Sequence, residues 1–120
     1  MLIIKERTID PEITVLEATG RITLGRNAQE LEWKINDLLQ RPPVRIVLDL
    51  SNVDHLDSTG IGIIVMAAGR ANGRGGFLRI AGAKGAVEHT LQLCKVSDMV
   101  PFHADAAQAA AAIGAAAGKA

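Results

Sequence analysis

The stretch VRIVLDLSNVDHLDSTGIGIIV, residues 44–65, decides the fold class of this 120-residue chain. Its first seven residues, 44–50, are almost all apolar, which is typical of a strand covered on both faces of a sheet. From Ser58 to about Arg70 the residues are again predominantly apolar and predict a helix. We expect residues 51–57 to form a loop at the carboxyl end of the strand, where open α/β sheets carry their functional surfaces.

The segments before this stretch predict two strands and a helix. Residues 2–4 and 12–20 have strand patterns, and Asp10-Pro11 between them is typical of a turn, so an N-terminal hairpin is expected. Asn27 and Glu30 resemble a capping box that starts the helix, and Pro42-Pro43 stops it. Apolar residues at spacings of three and four predict its buried face: Ala28, Leu31, Ile35, Leu38 and Leu39.

The segments after this stretch continue the alternation of strands and helices. Residues 77–82 and 100–103 predict strands, residues 84–93 a helix between them, and the alanine-rich residues 104–120 a last helix. The order β-β-α-β-α-β-α-β-α predicts a single α/β domain over residues 1–120. Its sheet is mixed and mostly parallel, with the antiparallel N-terminal hairpin and about four helices.

The charge and the hydropathy pattern argue against several classes of function. Thirteen Lys and Arg residues balance thirteen Asp and Glu residues, so the chain lacks a net field that would hold nucleic acid or an anionic membrane. The opening residues lack the apolar core of a signal peptide, and the most apolar run, 61–68, is under half the length of a membrane span. We therefore expect a cytoplasmic protein without membrane insertion.

Residues that bind metals or perform catalysis are sparse. Cys94 is the single cysteine, and we expect it to be a small buried hydrophobe. His55, His89 and His103 lack metal-ligand spacing, so no metal and no cofactor is expected. His55 precedes Ser58 by three residues, but no nucleophile elbow accompanies the pair, and the sequence therefore favours a protein that is not an enzyme.

Two glycines lie at the start of the helix that follows Asp57. Each of them, Gly60 and Gly62, costs a helix about 1 kcal/mol relative to alanine, so each needs a compensating role. Two explanations are open: close packing on the sheet, or room for the backbone of a partner protein. Asp57 or Ser58 is expected to cap the helix, and the apolar residues around its whole circumference leave a face for a neighbouring element or a partner.

The segment LDLSNVDHLDSTGIGIIV, residues 48–65, resembles the signature of STAS domains, and specifically of bacterial anti-sigma factor antagonists. In that family a strand with an Asp near its end leads to an Asp-Ser-Ser/Thr-Gly-aliphatic-Gly sequence that opens a helix. The resemblance extends over nearly the whole chain. GRITLGRNAQELEWKINDLL, residues 20–39, resembles the family's second-strand loop and first helix, and residues 75–110 resemble its usual ending.

The resemblance implies a function by switching partners. The unphosphorylated antagonist binds an anti-sigma factor that is also a serine kinase of the histidine-kinase-like ATPase class, and this releases the sigma factor. Phosphorylation of Ser58 switches the binding off, and a PP2C-type phosphatase restores the serine. By position, the residues expected to form the docking surface are Asp57, Thr59, Gly60, Ile61, Gly62, Thr23 and Leu24.

Other interpretations remain open at the level of sequence. One is a STAS subunit without a phosphorylation cycle that docks on a transporter or on a stressosome-like assembly. In the other, Ser58 and Thr59 are only capping hydroxyls of the helix. An apolar helix face on a short domain also allows self-association as a homodimer.

Overall fold

A computed structural model describes residues 1–9 and 12–118 of the chain. A five-stranded sheet runs through the molecule, and its strands lie side by side in chain order. β1 and β2 are antiparallel, whereas β2, β3, β4 and β5 are parallel, as the sequence predicts. The strands are β1 (Leu2–Ile9), β2 (Ile13–Ile22), β3 (Arg45–Leu56), β4 (Phe77–Ala81) and β5 (Phe102–His103).

Four helices and one short 3₁₀ turn connect the strands. The helices are α1 (Arg26–Leu39), α2 (Ser58–Gly73), α3 (Gly85–Leu93) and α4 (Ala106–Ala117), with the 3₁₀ turn at Val96–Asp98. The structure confirms the expected mixed α/β architecture. α2 ends three residues beyond the expected Arg70. The expected turn at Asp10-Pro11 and the last two residues of the alanine-rich segment lie outside the described residues.

Side chains that alternate along the strands divide the core into two layers. Ile46, Leu48 and Leu50 belong to a large buried cluster that includes the apolar faces of α1, α2 and α3. Val47, between them, belongs to a smaller cluster on the other face, which α4 covers. All five residues of the expected face of α1 are buried, which confirms the periodicity argument.

The expected cap of α1 is wrong. The helix begins at Arg26, so Asn27 already lies inside it, and no side chain caps the first turn. Gly25 occupies the N-cap position with a φ of 109°, a backbone conformation that favours glycine. The amide of Ala28 donates to the Thr23 carbonyl oxygen at 3.1 Å, which closes the turn that leads into the helix.

The expected loop at residues 51–57 is also wrong, because β3 continues to Leu56. Its parallel pairing with β2 continues to the pair Ile22 and Leu56 with two register shifts, so the polar residues of this segment lie on a strand. Only Asp57 separates the end of β3 from the start of α2. The start of α2 is therefore fixed directly to the sheet.

Cys94 differs from its expected burial. It occupies the C-cap of α3, at the end of the helix, and it is exposed. Within residues 1–9 and 12–118, none of the helices combines the length and the hydrophobicity that crossing a bilayer requires.

Candidate functional site

Asp57 joins three segments of the chain at the carboxyl end of β3. Its Oδ1 accepts a hydrogen bond from the Gly60 amide at 3.0 Å, which caps α2. Its Oδ2 accepts a second hydrogen bond, from the Leu24 amide in the β2–α1 loop, at 2.8 Å. Its own amide donates to the Ile22 carbonyl oxygen at the end of β2, at 3.2 Å. Asp57 is thus the cap that the sequence offered as one of two alternatives.

The same contacts keep Asp57 ionised. The Gly60 amide and then the Leu24 amide lower the pKa of the carboxyl group, because both hydrogen bonds favour its charged form. Partial desolvation acts in the opposite direction, and the Thr59 amide and the charge of His55 add smaller lowering effects. The site therefore holds a fixed negative charge at neutral pH.

Ser58 is the first residue of α2, and its side chain is exposed. Its hydroxyl makes no hydrogen bond to any residue that the structure describes, since Asp57 provides the side-chain cap. The hydroxyl lies at the end of the helix where the partial charge of the backbone is positive. It is free to react or to contact another molecule.

The two glycines of the first turns of α2 have different surroundings. A Cβ atom at Gly60 would lie 2.6 Å from Leu56 Cδ1 and 2.9 Å from the Ile22 carbonyl oxygen. Gly60 thus allows the helix to approach the ends of β2 and β3. A Cβ at Gly62 would meet no atom within 4 Å, and Gly62 is exposed. Close packing on the sheet explains the first glycine and not the second.

The β2–α1 loop lies beside the start of α2. Leu24 is 77% exposed, although its backbone is fixed by Asp57. A groove of about 370 Å³ separates this loop and the start of α1 from α2. Its lining combines apolar and polar side chains: Leu24, Ala28, Ile63, Arg26, Gln29 and Glu32. Thr59 lines the same groove and is half-buried. An exposed apolar side chain and an open groove thus lie beside the first turn of α2.

The expected docking residues divide into two groups in the structure. Leu24 and Gly62 are exposed, and Thr23, Asp57 and Thr59 are half-buried at the same end of the sheet. Gly60 and Ile61 are buried, and Ile61, at 8% exposure, packs in the large core cluster. Gly60 and Ile61 therefore lie beneath the expected docking surface and support it.

The apolar circumference of α2 is largely covered within the domain. The sheet and α1 bury four apolar side chains in the first ten residues of α2: Ile61, Ile63, Ile64 and Ala67. Val65 and Ala68 are half-buried against the same core. Met66, at 44% exposure, and Gly62 are what remains of the surplus face that the sequence suggested.

Ile63 and the hydrogen bond between Leu24 and Asp57 are features of the site that the sequence did not reveal. Leu24 and Asp57 are 33 residues apart, and no local pattern indicates their contact. Ile63 is one of several isoleucines in α2, and only the position of α1 makes it part of the groove. Among the described residues there is no group of three or more His, Cys, Asp or Glu side chains arranged to hold a metal ion.

Comparisons with known proteins agree on the fold. The family model for the STAS domain matches residues 5–109. No curated protein matches the sequence. The chain is similar to a solved anti-sigma factor antagonist from Mycobacterium paratuberculosis, with 21% identity, 94% of each chain covered and a TM-score of 0.85.

Two further solved structures extend this comparison. An anti-sigma-factor antagonist (STAS) domain protein from Planctomyces limnophilus is 17% identical, over 92% of this chain and 97% of that one, with a TM-score of 0.78. The phosphorylated form of the Bacillus cell fate determinant SpoIIAA is 14% identical, over 89% and 96%, with a TM-score of 0.70. At these identities the similarity establishes the fold, and the family match covers most of the sequence. The chain therefore belongs to the STAS domain family.

Proposed function

We propose that this protein is an anti-sigma factor antagonist controlled by phosphorylation of Ser58. In its unphosphorylated form it binds an anti-sigma factor that is also a serine kinase of the histidine-kinase-like ATPase class, and this binding releases the sigma factor. It acts in the cytoplasm as a binding switch and not as an enzyme. A PP2C-type phosphatase returns the phosphorylated protein to its binding form.

One observation carries this proposal: the free, exposed hydroxyl of Ser58 at the first position of α2. Asp57 supplies the cap, so Ser58 is not needed to satisfy the amides of the helix. The neighbouring Leu24 and Gly62 are exposed and offer an apolar, uncrowded surface to a partner. A protein of the same fold, SpoIIAA, has been solved in a phosphorylated form, which supports a phosphoacceptor role.

The electrostatics of the site favour a switch of binding rather than of shape. A phosphate adds about −1.5 to −2 charges at neutral pH. The N-terminus of α2 stabilises such a charge by about 0.3–1 kcal/mol, and the ionised Asp57 opposes it. Because the two effects oppose each other, we expect the fold to stay the same. A partner resting on Leu24 and Gly62 would meet both the bulk and the charge of the phosphate.

The test of the phosphoacceptor is labelling by the cognate kinase. The purified protein is incubated with ATP and the ATPase-domain kinase encoded in the same genome, and the number of phosphates is read by intact mass. We expect one phosphate on wild type and none on Ser58→Ala. The matched controls are Thr59→Ala, in the next position, and Ser97→Ala, an exposed serine on the distant 3₁₀ turn, and both should still be labelled. Equal labelling of wild type and Ser58→Ala would reject the proposal.

A second experiment separates a regulatory serine from a structural one. Ser58→Asp places a negative charge at the exposed helix start and should weaken binding of the kinase. Its melting temperature should stay within about 2 °C of wild type, because exposed substitutions change stability by roughly 0.5 kcal/mol or less. A large loss of stability with Ser58→Asp would show that the residue serves the fold.

A further inference from the structure

Leu24 combines high exposure with a fixed backbone. Its side chain is 77% exposed, which removes most of the energetic benefit that an apolar residue gains from folding. Yet its amide is bound by Asp57 Oδ2 at 2.8 Å, and Gly25 after it adopts a φ of 109°, which few other residues tolerate. The chain thus fixes the backbone that presents an apolar side chain to solvent, in the loop that Asp57 links to the start of α2.

The two oxygens of the Asp57 carboxylate serve two separate segments. Oδ1 receives the Gly60 amide of α2, and Oδ2 receives the Leu24 amide of the β2–α1 loop. Only a carboxylate provides an acceptor on both sides, since an asparagine amide has one acceptor oxygen and a donor NH₂ group on the other side. The cap of α2 and the position of Leu24 are therefore coupled through one side chain.

We infer that Asp57 is a positioning residue for kinase docking, which acts through Leu24 and does not itself contact the kinase. This inference rests on the proposed function, and it names the part of the surface that the kinase binds. Each carboxylate oxygen already accepts a hydrogen bond from a backbone amide, and these two hydrogen bonds hold the half-buried side chain between α2 and the β2–α1 loop. The exposed Leu24 provides the apolar contact, and it lies at a groove of about 370 Å³ whose lining also carries the polar side chains of Arg26, Gln29 and Glu32.

The surface is continuous with the proposed phosphoacceptor. The groove reaches Thr59, which follows Ser58 directly, and its far wall is formed by Ile63 one turn further along α2. A kinase that brings its active site to Ser58 is therefore placed to contact Leu24 as well. We expect an apolar side chain of the kinase to pack against Leu24.

Asp105 provides a matched control within the same chain. It caps α4 through the same geometry, with its Oδ1 accepting from the Gln108 amide at 2.8 Å. No second backbone segment among the described residues donates to it, and α4 lies on the other face of the sheet. Asp and Asn are similarly good caps, so Asp57→Asn and Asp105→Asn should both fold.

The first test needs no kinase. Amide hydrogen exchange, followed by NMR, is compared between wild type, Asp57→Asn and Asp105→Asn. In Asp57→Asn we expect the Leu24 amide to lose its protection while the Gly60 amide keeps it, and Asp105→Asn should change neither. Unchanged protection of both the Leu24 and the Gly60 amides in Asp57→Asn would overturn the inference, because two acceptor oxygens would then not be needed to hold the two segments.

The second test measures phosphorylation kinetics in a double-mutant cycle. Asp57→Asn and Leu24→Ala should each raise KM by about tenfold, the effect of losing one good apolar contact, and leave kcat nearly unchanged. The double variant should be no worse than either single one, because both act through the same contact. Additive effects would mean that Asp57 contacts the kinase directly, which overturns the inference but leaves the proposed function intact. Absence of any label on wild-type Ser58 would instead reject the proposed function itself, and with it the docking role inferred for Asp57.

Discussion

The different surroundings of Gly60 and Gly62 allow a sharp test of what each glycine is for. In Gly62→Ala the new methyl group meets no atom within 4 Å, so the helix gains the propensity difference between glycine and alanine, about 1 kcal/mol. For a 120-residue domain the unfolding entropy is about 250 cal/mol/K, so this gain corresponds to a rise in melting temperature of about 4 °C.

The effect of Gly60→Ala should have the opposite sign. Its Cβ would lie 2.6 Å from Leu56 Cδ1, 2.8 Å from Ile22 Cγ2 and 2.9 Å from the Ile22 carbonyl oxygen. The side chains can rotate, but the carbonyl belongs to a paired strand and resists displacement. Overpacking of this kind costs about 1–3 kcal/mol, which exceeds the gain in helix propensity in most of that range. We expect a net loss of up to about 2 kcal/mol and a lower melting temperature.

Kinase binding should respond differently to substitution of Gly62 and of a third glycine on the same helix. Gly69 is also exposed, with open space at its Cβ, and lies about two turns further along the same face of α2. Gly69→Ala should stabilise the protein as Gly62→Ala does. Only Gly62→Ala should weaken kinase binding, by about tenfold if the methyl group costs the interface about 1.4 kcal/mol.

Thermal unfolding and calorimetric titration of the kinase, applied to the three variants, check this reasoning. A lower melting temperature for Gly62→Ala would contradict the finding that a Cβ atom at Gly62 meets no other atom. Wild-type affinity in Gly62→Ala would show that the kinase does not approach this glycine. Equal loss of affinity in Gly62→Ala and Gly69→Ala would point to a general effect on the helix and not to a docking surface.

Three further outcomes are expected. Ile64→Ala removes a fully buried side chain from the core and should lower the free energy of unfolding by about 2–5 kcal/mol in a urea titration. Burial and the neighbouring Arg79 lower the pKa of His103, so the unfolded chain binds more protons than the folded one. The contribution of His103 to stability should therefore be complete above about pH 6.5 and decline towards pH 5. The decline should be less steep in His103→Gln. The thiol of Cys94 is exposed and should react with a thiol reagent in the folded protein as fast as in urea; protection by folding would contradict its position.

Hydrophobic periodicity was sufficient to predict the architecture. The apolar face of α1 and the buried strands β3 and β4 depend on burial that repeats along a single element, and the sequence displays that repeat directly. The parallel order then follows from the short connections and the handedness of strand–helix–strand units. These features make the fold class predictable from the sequence.

The sequence-based predictions are wrong where a neighbouring segment overrides the conformation that the local residues favour. Asn27 is a good capping residue, but Gly25 starts the turn earlier, and the helix absorbs Asn27 into its first turn. Residues 51–56 are polar enough for a loop, yet pairing with β2 keeps them extended. Cys94 belongs to a residue type that is usually buried, and the end of α3 exposes it. Local sequence does not carry this information.

The sequence is sufficient to locate the candidate site along the chain, but not to show which residues form its surface. The pattern from Asp57 to Gly62 marks an unusual helix start, and the sequence alone indicates it. The distinction between Gly60 and Gly62 depends on how closely the helix approaches Ile22. The link from Asp57 to Leu24 depends on the register of two strands and on a loop 33 residues away.

The direct connection of β3 to α2 through the single residue Asp57 has a consequence for the proposed role of Ser58 as a phosphoacceptor. No flexible linker surrounds this serine, so it cannot extend into an active-site cleft as a disordered peptide would. Under the proposed function, the kinase would have to recognise a conformational epitope assembled from residues 22–25 and 57–62, which become neighbours only when the strands have paired. A nascent or unfolded chain offers no such epitope. A phosphate on Ser58 would therefore indicate that the chain had folded before it was phosphorylated.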